Sequence, residues 1–258
     1  MGINYAGTFV IFIALHGEAQ AALSVIGEAF ELSADKLVYT EVHSYSDDLL
    51  QHQVVYTAAD NTELAVKQLN YSHGFTAPSF VQHNRVLKEF IQVGFVDQQL
   101  SMVYSAAGSG SSRTQKEKSM LVTSPLVIDA GFDYYIREHW QPLIAGQVLT
   151  FEFVVPVRQS LVTLKAQQTA CSYSASDDVC FTIGAANWLI RLVLAPIELG
   201  YEASRQRLSR YRGLANMSDQ EGRVFKVDIH YRYIDRCQHD RDCQLLQQAP
   251  VLSGFLMK

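Results

Sequence analysis

From Lys36 onward, polar and apolar residues alternate with a period of two over most of the chain, the pattern of strands half-buried in a sheet. In residues 36–45, KLVYTEVHSY, Val38, Thr40, Val42 and Ser44 share one face, and Tyr39, Glu41, His43 and Tyr45 share the other. QHQVVYTA and TELAVKQLNYS follow, parted by the turn-prone residues Ala59, Asp60 and Asn61, so the start reads as an antiparallel meander. RVLKEFIQVGF, QLSMVYS, KSMLVTS, QVLTFEFVVPV, SLVTLKAQQTA, CFTIGAANWLIRLVL, RLSRYRG and GRVFKVDIHYRY are further strand candidates. Several run ten residues or more, and at about 3.3 Å per residue they require a large twisted sheet or a barrel.

One segment changes period. In DAGFDYYIREHWQPLIAG, residues 129–146, Phe132, Ile136, Trp140 and Leu143 form one apolar helical stripe. Asp129 is the expected N-cap and Gly146 the expected C′ residue, with Pro142 kinking or weakening the last turn. The expected architecture is therefore mainly β. It is a single large antiparallel curved sheet, or a half-open or closed barrel, with one packed α-helix over about 129–145. The Gly/Ser-rich stretch 106–118 reads as a hairpin loop, and nothing along the chain has the composition of a domain linker. FEFVVPV and WLIRLVLAPIEL are apolar on both faces, so they are covered twice, by the helix or by lining an interior cavity. That pattern suits an apolar ligand pocket and ordinary core packing equally well. It lacks the consistent apolar-out, polar-in alternation of an outer-membrane barrel.

Composition adds exclusions. With 258 residues, 48% apolar, 21 basic against 26 acidic side chains, the chain resembles neither a disordered tail nor a typical nucleic-acid binder. The apolar run Thr8–Leu15 is too short for a transmembrane helix, which needs about 20 residues. It fits the core of a signal peptide, with Ala19 and Ala21 in a small-x-small site and cleavage expected after Ala21, although the segment before it carries no Lys or Arg. The alternative is a buried N-terminal strand. Residues 1–21 are thus read as a signal peptide and 22–258 as one β-rich domain, periplasmic, with no transmembrane span.

The four cysteines fall in two local pairs, Cys171 with Cys180 and Cys237 with Cys243, as suits disulfides in an oxidising compartment. The second pair admits another reading, in which Cys237, His239 and Cys243 with Asp240 or Asp242 hold a metal. One isolated group without a repeated cysteine pair favours the disulfide, so no metal or other cofactor is expected.

No catalytic signature stands out. The loop G-S-G-S-S at 108–112 fits neither a phosphate loop nor a serine nucleophile elbow. Asp133, Arg137, Glu138 and His139 place acids and a base on the helix, but Asp133 and Arg137 read as an i,i+4 surface pair. His43, His52, His73, His83 and His230 are dispersed, with no metal-binding spacing. Arg207, Arg210, Tyr211, Arg212, Tyr231 and Tyr233, with Arg205, Arg232 and Arg236 near them, combine basic and aromatic character in two C-terminal strands. They form either a solvated strand face or a binding patch for anionic groups or a partner protein. The predicted export and the net negative charge argue against nucleic acid.

The C-terminal half carries a resemblance. A helix ending in a glycine precedes a strand with Val155, Pro156 and Arg158, and a later strand runs from Tyr201 into Arg207, Leu208, Arg210, Tyr211, Gly213, Leu214 and Asn216. This order resembles uncharacterised exported β-rich proteins of Gram-negative bacteria grouped as domains of unknown function, over about residues 36–235. The resemblance implies export and a β-rich fold, and brings no reaction. The expected function is a periplasmic, non-enzymatic binding or carrier protein for an apolar, lipid-like ligand in envelope maintenance. The alternatives are a module docking on another envelope component through the basic, Tyr-rich region, and a hydrolase using the helix carboxylates or His139.

Overall fold

The computed structural model describes residues 23–107, 113–122, 125–174, 178–187, 195–219 and 221–234. The signal peptide read over 1–21 and the Cys237/Cys243 group lie outside them. Among these residues fifteen strands form one sheet, ordered β8-β7-β6-β5-β4-β3-β2-β1-β15-β14-β13-β12-β11-β10-β9. At its middle β1 (Leu23–Glu31) pairs with β15 (Val224–Ile234). From there β2 (Leu37–Tyr45), β3 (Gln51–Ala58), β4 (Glu63–Asn70), β5 (Ser79–Asn84), β6 (Glu89–Val96), β7 (Gln99–Ala107) and β8 (Arg113–Leu121) meander to one edge. The chain then crosses through β9 (Leu126–Val127), α1 (Gly131–Glu138) and α2 (Trp140–Ile144) to the opposite edge. β10 (Leu149–Val155), β11 (Ser160–Thr169), β12 (Asp178–Ala185), β13 (Ile197–Glu202) and β14 (Arg207–Ser218) lead back to β15. Neighbours are antiparallel except β9 with β10, which are parallel.

This path explains where the helices lie: they are the link between the two meanders, so they pass over the sheet. The sheet curls until the 3-10 turn Pro156–Arg158 meets the other half. There Gln159 Nε2 donates to the Met102 carbonyl (3.4 Å), and Lys118 Nζ donates to the Gln159 carbonyl (3.0 Å). Among the described residues no ladder joins the two edges. The barrel is half-open, which corrects the closed alternative.

The turns follow backbone chemistry. Asp97 and Gln98, both at positive φ (47° and 64°), make the two-residue reversal between Val96 and Gln99 that suits the twist of a hairpin. Asn61 (φ 68°) serves the turn expected at 59–61. The loop expected over 106–118 is shorter, since Ala107 pairs with Arg113 and residues 113–118 belong to β8.

The helix expected as one piece is two. Pro142 has no N–H to offer the Glu138 carbonyl four residues earlier, and its ring crowds that carbonyl, so α1 ends at Glu138 and His139 leaves helical geometry (φ −103°, ψ 24°). Gly146 sits at φ 83°, as expected for a C′ glycine. The apolar stripe holds: Ile136, Trp140 and Leu143 are buried in a core with Phe151, Phe181, Leu199 and Tyr201. A second core fills the first meander around Tyr39, Leu69, Phe80, Leu100 and Met102, and Val154 of β10 reaches into it while Phe151 faces the first. The strand FEFVVPV is thus covered on both sides, as its composition suggested.

Candidate functional site

Between the two cores, beneath α1, lies a cavity of about 400 Å³. Its walls come from β1 to β3, from β10 to β15 and from α1. Phe151, Val162, Leu164, Ile183, Leu208 and Ile229 make one side apolar, and Asn216, which lines the space and is itself exposed, marks where it meets solvent. The opposite side is the face of β2 that carries Tyr39, Glu41, His43 and Tyr45, and it points inward with His52 and Tyr56 of β3.

The roof is anchored across the cavity. The Ile128 N–H donates to the Thr76 carbonyl (3.0 Å), and Gly131 packs so closely on that carbonyl that a Cβ would sit 2.0 Å from its oxygen. The fully buried Lys67 of β4 donates from Nζ to Asp129 Oδ2 at 2.6 Å. This pairing corrects the expected N-cap. Ala130 holds that position without a side-chain cap, while Asp129 turns to φ 46°, gives Oδ2 to Lys67, and accepts the Ala130 N–H on Oδ1. Tyr134 closes the roof by stacking on Phe75 (4.8 Å between centroids).

A polar chain runs along the inner wall. Tyr71 Oη is 3.2 Å from His52 Nδ1, and His52 Nε2 is 2.9 Å from His43 Nδ1. His43 Nε2 approaches Glu41 Oε1 to 3.1 Å but is not aimed along a hydrogen bond, so Nε2 has no formed partner. Burial, then His43 and Lys67, push the His52 imidazole well below its usual range, so it stays neutral. Burial first, and the Glu41 charge after it, push the phenols of Tyr39, Tyr56, Tyr211 and Tyr231 up, so these four remain neutral hydroxyls around Glu41. Gly27 makes this packing possible. It is the cross-strand neighbour of both Glu41 and Tyr231, and a Cβ there would lie 2.7 Å from Glu41 Cγ and 2.8 Å from Tyr231 Cε1.

The pair Asp133 and Arg137 joins at 2.7 Å, but it is not the expected surface pair. Asp133 lines the cavity, and burial raises its carboxyl pKa against the opposing pull of Arg137 and Tyr201. Arg137 lies over the Tyr134 ring at 4.2 Å. His139 donates from Nδ1 to the Tyr135 carbonyl (2.9 Å) and stacks on that ring at 4.3 Å between centroids.

The six C-terminal residues singled out from sequence separate by face. Tyr211, Tyr231 and Tyr233 line the cavity, and Arg207 lies over the Tyr233 ring at 4.8 Å. Arg210 and Arg212 occupy the outer face, where Arg210 makes a two-pronged bond to Asp228 (2.6 and 2.7 Å) and Arg212 lies 3.0 Å from the same carboxylate. The disulfide Cys171–Cys180 holds the neighbouring segment, so that the Tyr173 ring covers Arg210 at 4.0 Å and its hydroxyl donates to Asp178.

Sequence reasoning passed over Glu41, His43, His52 and the Lys67–Asp129 pair. The usable signal was the inward set of β2: charged and aromatic residues on one face opposite Val, Thr and Ser. Among the described residues no group of three or more His, Cys, Asp and Glu is placed to hold a metal. Comparison of the chain with protein-family models, with characterised proteins and with solved structures gives no match.

Proposed function

We propose that this is a non-enzymatic binding or carrier protein of the periplasm, taking a mostly apolar, lipid-like small molecule in envelope maintenance. The observation that carries the reading is the cavity. Protein interiors pack with few voids larger than a water molecule, so about 400 Å³ left open at the centre of a curled sheet is a departure from core packing. Its size falls within the range of roughly 300–1,000 Å³ for small-molecule sites, and its mostly apolar and aromatic walls with a few converging polar groups match their character. The Cys171–Cys180 bond suits an oxidising compartment and supports the periplasmic part of the proposal. Docking through the basic C-terminal region has less support, because Arg210 and Arg212 are already paired with Asp228, and Arg212 also lies 4.0 Å from Glu198. Native mass spectrometry of protein purified without detergent tests the reading. A small apolar adduct that is lost on solvent extraction is expected; bare protein that also takes up no added apolar compound would overturn it.

A further inference from the structure

Among the described residues three carboxyl groups line the cavity: Glu41, Asp129 and Asp133. Two of them have a fixed cation, Asp129 from Lys67 at 2.6 Å and Asp133 from Arg137 at 2.7 Å. Glu41 is 3% exposed and lies deep in the inner wall; the Tyr231 hydroxyl hydrogen-bonds to it, and among the described residues its one ion-pair contact is with His43, at 3.1 Å and misaligned. Tyr71, His52 and His43 form one hydrogen-bonded chain that ends beside Glu41, and among the described residues no Lys or Arg pairs with this carboxylate as they do with the other two. A buried carboxylate held by a phenol but by no Lys or Arg is stabilised further when a cationic group meets it.

The surroundings of Glu41 say what that group is. Tyr39, Tyr56, Tyr211 and Tyr231 gather around it, with the Tyr39 and Tyr56 rings edge to face at 6.1 Å. Aromatic rings about a carboxylate are the environment that favours an organic cation, through attraction to ring faces as well as to the charge. A second, independent sign is the Tyr39 hydroxyl, which is fully buried, belongs to a residue lining the cavity, and has no hydrogen-bond partner. An anionic headgroup would instead meet a carboxylate and, among the described residues lining the cavity, no Lys or Arg.

We propose that the ligand of this cavity is an amphiphile with a cationic nitrogen, an ammonium or substituted ammonium, seated against Glu41 within the four tyrosines, its apolar body running toward Phe151, Leu164 and Ile183. This rests on the binding reading above and specifies its ligand class.

Displacement of bound Nile red by dodecylamine, dodecanol and dodecanoic acid, each below its micellar concentration, tests it. The amine is expected to bind about tenfold or more tightly than the alcohol, as a hydrogen bond to a charged group implies. The acid should be weakest, and Glu41→Gln should remove the amine's advantage over the alcohol. Equal binding of amine and alcohol, stronger binding of the acid, or an amine advantage that survives Glu41→Gln would overturn the proposal while leaving the binding reading intact. If neither Nile red nor any of the three binds, the binding reading fails and this proposal with it. The wild-type ranking decides the matter even if the variant does not fold.

Discussion

The anchor between Lys67 and Asp129 makes a specific energetic prediction. Lys67 is 1% exposed and Asp129 21% exposed at the side chain, so loss of one partner strands the two charges unequally. Asp129→Asn removes the charge but retains the φ of 46°, which Asn adopts readily, and the acceptor for the Ala130 N–H. It leaves an ammonium on a side chain only 1% exposed, with the Phe80 and Tyr56 rings at 5.5 and 5.9 Å and no ion-pair partner among the described residues. Removing one member of a buried pair costs about 3–5 kcal/mol, and one hydrogen bond to a charged group is worth about 1.5–3 kcal/mol, so the two scales meet near 3 kcal/mol. Lys67→Met should cost less, because Asp129 can hydrate from the cavity. The double variant should recover at least about 1.5 kcal/mol of the sum of the two, since neither charge is then stranded. Urea unfolding reads this directly: with a slope near 3 kcal/mol per molar, Asp129→Asn lowers the midpoint by about 1 M. Single effects that add to within about 0.5 kcal/mol would show that the two groups are not coupled and refute the anchor.

Other residues give independent checks. Gly131→Ala places a methyl 2.0 Å from the Thr76 carbonyl oxygen, so α1 must lift; a loss of about 3 kcal/mol or more in thermal or urea unfolding is expected, with weakened Nile red binding. Breaking Cys171–Cys180 by substituting both with Ser should cost about 2.7 kcal/mol on the loop-entropy model, measured as the difference in urea midpoint from the oxidised wild type. His52 sets a pH dependence. The unfolded chain protonates this imidazole as pH drops below about 6.5, while burial holds it neutral in the fold, so the unfolded state binds the extra proton and stability falls by about 1.4 kcal/mol per pH unit below that point. His52→Gln should flatten the profile of urea midpoint against pH by that amount, and an unchanged slope would remove His52 as its source.

Much of the sheet was legible because its strands alternate. β2, β3, β4, β7, β10, β11, β14 and β15 lie where the period-two segments place them, and the two faces assigned to β2 are the two faces observed. β5 escaped because its inward residues include Gln82 and Asn84, which are buried polar groups that break the apolar signal. The helix was readable from its stripe, and its division follows from Pro142 acting on Glu138, one turn earlier than the last-turn kink expected. The site was much less legible. His43 meets His52 only because β2 and β3 pair, and Lys67 meets Asp129 across 62 positions, so a search for local spacing finds neither. The basic and aromatic C-terminal residues looked like one patch in one dimension. Strand alternation and the bulge near Leu208 send the tyrosines inward and Arg210 and Arg212 outward.

The central claim is that the cavity under α1 is a binding site for an apolar ligand, and a cavity-filling titration tests it most directly. Nile red should bind the wild-type protein saturably, one molecule per chain. Leu164→Trp, which projects into the cavity from β11, should abolish that binding while the thermal transition stays in place. Absence of saturable binding by the wild type, or binding that persists unchanged in folded Leu164→Trp, would contradict the account.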